Sequence, residues 1–454
     1  MVGTRIGLLV GAVALVAVAS TGVVGANAVA REANPVATVT ITNYASPSIV
    51  DPGGIAVGND GSVWFSNTNA NTIGRRTPAG VFSTRSAGHV DISDMTFSVD
   101  PSHMTKQLDG RILYVQTGTE CCDGLLEAAG IGAITPAQKV VPDLSSQSTA
   151  PSIDVGGDGT LWVGYPGACS VTVSICYQLS VGNTFVTFDV DPTAVAGGSD
   201  GSGWFVDGGW LTYVSPQHTL TVFRDRAALA TGGIEVGGDG NLWFAKGNAI
   251  GRITPAGVVT TFTAPTISSP LGLVLGPDGN IWFSNNGNNS IGRITPSGAV
   301  TNYTGTGIDH PTDLAVAPDG DIWFVNQGNH TLGRIDLPPV VVPGAATVVE
   351  GNSGTVDLQV PVTLSKPSSQ TVTVQWFTGP AGPSPRADPA TDFSAASGTV
   401  TFAPGETAKS VTITVNGDTT VEPNEWITIS FNHPTNATMG GFYGLAFGII
   451  TNDD

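Results

Sequence analysis

One unit recurs along this chain of 454 residues, and it constrains the fold more than any other feature. Its clearest copies start at Gly272 (Gly-Leu-Val-Leu-Gly-Pro-Asp-Gly-Asn-Ile-Trp-Phe) and at Gly233 (Gly-Ile-Glu-Val-Gly-Gly-Asp-Gly-Asn-Leu-Trp-Phe). Each continues into Ile-Gly-Arg-Ile-Thr-Pro-x-Gly, at Ile291 and Ile250 respectively. The Asp-Gly pair recurs in register at Asp60, Asp109, Asp158, Asp200, Asp239, Asp278 and Asp319, 39–49 residues apart. In the first unit, Ile55 and Val57 alternate as an inner strand and Asp-Gly supplies a tight turn with positive φ. Val63-Trp64-Phe65 makes a second strand, Ile73-Gly74-Arg75 starts a third, and Thr77-Pro78-Ala79-Gly80 turns into a fourth. A period near 40 with four strands per unit predicts a β-propeller of seven blades, with the aromatic pair buried between blades.

The ends of the repeat predict how the ring closes. The seventh unit stops at Leu332-Gly333-Arg334-Ile335 and enters Leu337-Pro338-Pro339 without a fourth strand. The missing piece is at the other end, where Thr38-Val39-Thr40-Ile41-Thr42-Asn43-Tyr44 resembles Val258-Val259-Thr260-Thr261-Phe262. The N-terminal strand is therefore expected to complete the last blade and remove its open edge. Composition agrees with an all-β chain, since 60 residues are Gly, 30 are Pro and only 12% are charged.

The net charge of −19 argues against a nucleic-acid partner, which demands clustered Lys and Arg. Residues 1–30 read as a signal peptide: Arg5, an apolar run from Ile6 to Ala19, then small residues offering cleavage after Ala28 or Ala30. The uncharged stretch to Ala30 is long, so an uncleaved anchor is the other reading; no later stretch is apolar enough to span a bilayer. A secreted or cell-surface location and a monomer are expected. In such a compartment Cys121, Cys122, Cys169 and Cys176 read as structural disulfides, with three pairings open.

The repeat, over roughly residues 38–336, resembles that of the virginiamycin B lyases, or streptogramin lyases. That resemblance implies a seven-bladed propeller that opens the ester-linked ring of type B streptogramins by elimination, with Mg²⁺. It also implies a His before Gly-Ile on an inner strand and a Glu directly after Trp-Phe-Thr in the same unit, both facing the channel. Here the His positions hold Gly53, Ser102, Pro151, Thr193, Gly232, Leu271 and Thr312. The Glu positions hold Asn67, Gln116, Tyr165, Asp207, Lys246, Asn285 and Asn326. No unit carries the pair, so a general base and a metal carboxylate are both missing from the expected places. His310 lies two residues before Thr312, which by strand alternation turns it toward the same channel face, near Asp309, Asp313 and Asp207. The seven residues of the second set and His310 are the expected channel wall and ligand candidates.

From Val340 the repeat stops, and Thr371–Trp376 and Ser410–Val415 alternate as sandwich strands should. Residues 337–340 read as a Pro-rich linker and 341–454 as a second domain. Val348-Val349-Glu350-Gly351, Thr391-Asp392-Phe393, Gly398–Phe402 with Pro404-Gly405-Glu406, Gly417-Asp418, Glu422–Glu425 and Thr451–Asp454 follow the order of a Calx-β domain and resemble it. The resemblance implies an immunoglobulin-like sandwich with Ca²⁺ held by loop carboxylates at one end. Carried over by position, these are Glu350, Asp392, Asp418, Glu422, Glu425, Asp453 and Asp454, enough oxygen donors for at least one ion. Gly417 and Asn452 stand where strong binders often carry Asp. The expected function is binding: a propeller that engages a polar ligand, a glycan or a surface protein, stiffened by the sandwich. A lyase-like elimination from a displaced site is the alternative.

Overall fold

The computed structural model describes residues 39–453, apart from positions 71, 199, 208, 218, 225–228, 380–384 and 440–443 and the non-strand parts of 87–191. At positions 69, 86–193 and 207 it describes backbone only. The signal segment and the four cysteines lie outside the described residues. Among the described residues no helix is long and apolar enough to cross a membrane.

Seven antiparallel four-stranded sheets follow one another along the chain. Blade 1 runs Pro52–Val57, Val63–Asn67, Thr72–Arg76, Phe82–Ser86, and blades 2 to 6 repeat that order. Blade 7 takes Pro311–Val316, Ile322–Asn326 and Thr331–Asp336 from its own unit and borrows Thr40–Ala45 from the N-terminus. The borrowed strand pairs from Thr40↔Asp336 to Ala45↔Thr331, so the expected closure is present. Tyr44 stacks on Trp323 at 5.2 Å, the slot that Phe262 fills on Trp243 and Tyr303 on Trp282. The last blade is thus completed by the same aromatic contact that blades 5 and 6 make within their own units.

The spelling of the repeat follows from this packing. Trp and Phe are consecutive on a strand, so they face opposite sides and fill two different cores. Trp243 shares a core with Phe283 of the next blade, Trp282 with Phe324, and Trp323 with Phe65. Each Phe ring lies over the glycine of the paired Ile-Gly-Arg strand, as in Phe283↔Gly292. A Cβ on Gly292 would come within 2.1 Å of that ring, and Gly74, Gly251 and Gly333 are equally tight. The following arginine covers the Trp face and pairs with the turn aspartate: Arg293 Nε reaches Asp278 Oδ2 at 2.6 Å and lies over Trp282. Arg75–Asp60 and Arg334–Asp319 repeat the pair at 3.0 and 3.3 Å.

The C-terminal part is a sandwich of a four-stranded and a five-stranded sheet. Along Gly354–Leu364 the residues Leu358, Val360, Val362 and Leu364 are buried in strict alternation, and they meet Val372, Val374, Phe402 and Ile429 in one core. The stretch expected as a Pro-rich linker, residues 337–340, is held at both ends. Leu337 is buried, and Val340 already begins the first sandwich strand, Val340–Pro343.

Candidate functional site

The propeller positions are set by the entry of each inner strand. Pro52, Pro270 and Pro311 open these strands, and the register then shifts before Ile55, Leu273 and Leu314. Gly53, Leu271 and Thr312, at the position that the resemblance gives to a catalytic base, sit inside these bulges, where a bulge re-aims side chains. None of the three is ionisable. Thr312 instead donates its Oγ1 proton to the carbonyl of Gly53 at 3.2 Å, joining blade 7 to blade 1.

The asparagines of the second set differ from the expected channel wall. Asn67, Asn285 and Asn326 are buried, and their amides are consumed by the loop that leads into their own blade and by the neighbouring outer strands. Asn285 Oδ1 accepts the Ser268 N–H at 3.1 Å, while its Nδ2 donates to Thr266 O, Ser290 Oγ and Asn302 Oδ1 at 3.1–3.2 Å. Asn67 binds Val50 N–H, Ser48 O and Thr72 Oγ1, each at 2.9 Å. Asn326 binds Asp309 N–H, Asn43 Oδ1 and Thr331 Oγ1. The physical reason is donor–acceptor balance: an amide supplies both, which a folded-back loop with free N–H and C=O groups needs. Lys246, at the same position in blade 5, is partly exposed and donates to Thr261 Oγ1 at 3.3 Å. The side chains of Gln116, Tyr165 and Asp207 lie outside the described residues.

His310 is not part of the strand alternation that was expected to aim it. Its φ is +47°, in the turn before Pro311. Nδ1 lies 2.7 Å from Asp309 Oδ1, and the backbone N–H of His310 donates to Asn289 Oδ1 at 2.9 Å. The imidazole is 59% exposed. Asp313 points elsewhere: Oδ2 accepts the Ile55 N–H at 3.0 Å across the blade 7–blade 1 seam, and Oδ1 accepts Leu314 N–H at 2.9 Å. The residue keeps some surface, but the carboxylate itself is enclosed, and that desolvation pushes its pKa up to about 7 against the pull of the two N–H groups. A cavity of about 260 Å³ opens between blades 5 and 6, lined by Thr231, Gly247, Asn248, Ser269, Pro270 and Leu271.

In the sandwich the loops do bring carboxylates together. One oxygen from each of Asp392, Glu422 and Glu425 lies within 4.8 Å of the others. Asp392 is buried and further held by the Asp388 N–H and by Thr391 Oγ1. Burial first, then Asp392, Glu422 and Glu350, push Glu425 up to about 7. Glu422 is raised as well, by desolvation and by Asp392 and Asp418. Glu350, buried next to them, accepts from Asn452 Nδ2 at 3.0 Å, and the same amide donates to Thr420 O. Asn452 thus organises the loops that carry the acids. Two expected ligands have structural duties: Asp418 Oδ1 accepts Thr420 N–H, and Asp453 Oδ1 accepts Gly351 N–H at 3.0 Å. Asp454 lies outside the described residues. Gly417 has no room for the Asp of strong binders, because a Cβ there would meet Gly351 O at 2.2 Å. An all-oxygen, net-negative cluster of this kind fits a hard cation such as Ca²⁺.

Family models divide the chain at the same place as the fold. Residues 180–343 match the virginiamycin B lyase family, and residues 340–454 match the Calx-beta domain. The chain joins a virginiamycin B lyase-like propeller to a Calx-beta domain. Among solved structures, a streptogramin B lyase is similar at 23% identity and TM-score 0.50, over 66% of this chain and 97% of that one. A virginiamycin B lyase from Staphylococcus aureus is similar at 22% identity and TM-score 0.50, over 66% and 99%. At such identities the likeness concerns the fold. An apo-form Calx CBD1 domain is similar over 26% of this chain and 98% of its own length, at 24% identity and TM-score 0.20. No curated protein matches the chain.

Proposed function

We propose that this chain is an exported binding protein. Its lyase-like propeller is a non-catalytic recognition ring, and its Calx-beta domain is a calcium-dependent brace. The observation that carries the reading is the fate of the two catalytic positions. Gly53, Leu271 and Thr312 offer no base, and Asn67, Asn285 and Asn326 spend their polar atoms on their own loops and on the neighbouring outer strands. A ligand then meets the turn face, with Lys246, His310, Asp309 and the cavity beside Asn248 and Ser269. That cavity is smaller than the roughly 300–1,000 Å³ that encloses a drug-sized molecule, so it suits one polar unit of a larger ligand, such as a sugar of a surface glycan. In the Calx-beta domain, Asp392, Glu422 and Glu425, with Glu350 beside them, would hold Ca²⁺, whose charge would relieve their mutual repulsion.

A second reading is favoured by one contact, His310 Nδ1 to Asp309 Oδ1 at 2.7 Å, which orients an exposed imidazole as a base would need. On that reading the propeller is a lyase with a displaced site, and Mg²⁺ is its cofactor. Incubation with a type B streptogramin and Mg²⁺, followed by mass spectrometry, separates the two. The binding reading expects intact cyclic substrate. Linear product that disappears in His310→Ala overturns it.

A further inference from the structure

Blade 7 departs from the repeat at two positions, and both departures touch the sandwich. Two residues after the turn aspartate, blades 1, 4, 5 and 6 carry Ser62, Ser202, Asn241 and Asn280, whereas blade 7 carries Asp321. Two residues after the arginine of the third strand, Thr77, Thr254 and Thr295 stand in blades 1, 5 and 6, whereas blade 7 carries Asp336. Asp321 has no exposed surface. Its Oδ1 accepts the Leu337 N–H at 2.9 Å and the Lys366 ammonium at 2.5 Å, and its Oδ2 accepts Arg334 Nε at 2.5 Å. Lys366, just beyond the sandwich strand Gly354–Leu364, also donates to Asp336 Oδ1 at 2.5 Å. Beside it Ser365 Oγ donates to the Asp319 carbonyl at 2.8 Å and accepts Val340 N–H at 3.0 Å. The turn itself is pressed on the sandwich, since a Cβ at Gly320 would meet Val340 Cγ2 at 3.2 Å.

The charges explain why these residues belong together. Blade 7 gathers three carboxylates, Asp319, Asp321 and Asp336, around the single guanidinium of Arg334. An enclosed carboxylate is tolerated only when paired and hydrogen-bonded. Blades 1, 4, 5 and 6 have a neutral side chain at the Asp321 position and carry no such excess. The second cation of the cluster comes from the sandwich.

We propose that Asp321 and Asp336 form a dedicated docking site for Lys366, an ionic lock that makes the propeller and the Calx-beta domain one rigid, cooperatively unfolding body. The lock stands whether the propeller binds or catalyses. The acids of the sandwich lie at the other end of Gly354–Leu364, because Gly354 pairs with Gly417 beside Glu350. Eleven residues of strand place them about 35 Å from the lock. A propeller ligand and a calcium-bound end are thereby held at a fixed separation and angle.

The test uses the full chain and three proteins: wild type, Lys366→Met, and the pair Asp321→Asn with Asp336→Thr. The pair restores residues that other blades carry, so blade 7 keeps a sequence compatible with this ring. Calorimetry should show one transition for wild type and two for both variants. Cleavage by proteinase K between 336 and 340 should rise about tenfold in both. Two transitions in wild type overturn the proposal. So does a single transition with unchanged cleavage in either variant that retains native tryptophan fluorescence.

Discussion

Both halves of the molecule gather polar side chains, at strand ends in the propeller and on loops in the sandwich, and the two sets have opposite fates. In the propeller, Asn67, Asn285 and Asn326 meet a matched set of donors and acceptors and are buried. In the sandwich, Asp392, Glu422 and Glu425 meet one another, and two of the three are pushed upward by desolvation and by the charge of their neighbours. An amide that the fold satisfies has become structure. A carboxylate cluster whose members push one another's pKa upward keeps an electrostatic conflict inside the fold. The difference locates the chemistry more surely than the polarity of either set.

The comparison breaks first at Asn285. Replacing it by alanine strands the Ser268 N–H and takes one of two donors from the Thr266 carbonyl, which keeps Asn288 Nδ2, and from Asn302 Oδ1, which keeps Ser290 Oγ; a buried orphaned polar group costs about 1–3 kcal/mol. Asn285→Ala should therefore cost about 2 kcal/mol in chemical denaturation. Lys246→Ala, at the same repeat position, should stay within about 1 kcal/mol. Equal losses would show that the asparagines are not braces.

The sandwich responds in the other direction. Glu425→Gln removes one of the crowded charges, so the calcium-free protein should melt a few degrees higher while calcium affinity falls about tenfold or more in calorimetric titration. The pH dependence has a definite sign. Glu425 in the folded protein holds its proton up to about 7, well above its unfolded value. Its contribution to calcium-free stability is therefore present at low pH and lost as pH rises toward 7. Calcium must displace that proton, so affinity should weaken from about pH 8 to about pH 6, and Glu425→Gln should flatten the slope. A calcium titration without heat at either pH removes the metal from the account.

Much of the fold was legible because the repeat is written in register. The turn aspartates counted the blades, and the unfinished seventh unit announced the borrowed strand that ends in Tyr44-Ala45. The roles of Gly292 and Arg293 were not legible from the same letters, since they depend on which cross-strand neighbour lies over them. The asparagines misled for a related reason. Asn reads identically whether it faces a channel or braces a loop, and the crossover that holds the deciding partners Ser268 and Thr266 repeats its Ile and Pro (Ile267 and Pro270, like Ile49 and Pro52 or Ile308 and Pro311) without showing in its letters where its N–H and C=O groups point. His310 misled through its backbone, because alternation holds for extended residues and a left-handed φ breaks it. In the sandwich the order of motifs named the acids, but only the folded loops separate the three that converge from Asp418 and Asp453, which serve their own turns.

Asp313 sharpens the comparison at its finest point, because it is a propeller carboxylate that is bonded yet not neutralised. Two backbone N–H groups stabilise its charge, and desolvation still outweighs them, lifting it to about 7. Raised from an unfolded value near 3.8, it makes the folded ring hold a proton that the unfolded chain has released. Its stability contribution is complete below about pH 4 and is lost as pH climbs to about 7. Asp313→Asn keeps one acceptor and removes the titration, so wild type should lose a few degrees of melting temperature between about pH 5 and about pH 8 that the variant keeps. Glu425 titrates over the same range, so the measurement is made in the Glu425→Gln background or with saturating calcium. Parallel pH curves with and without the Asp313→Asn substitution in that background would mean that the two N–H groups suffice, and that the seam between blades 7 and 1 is as well satisfied as the asparagine braces.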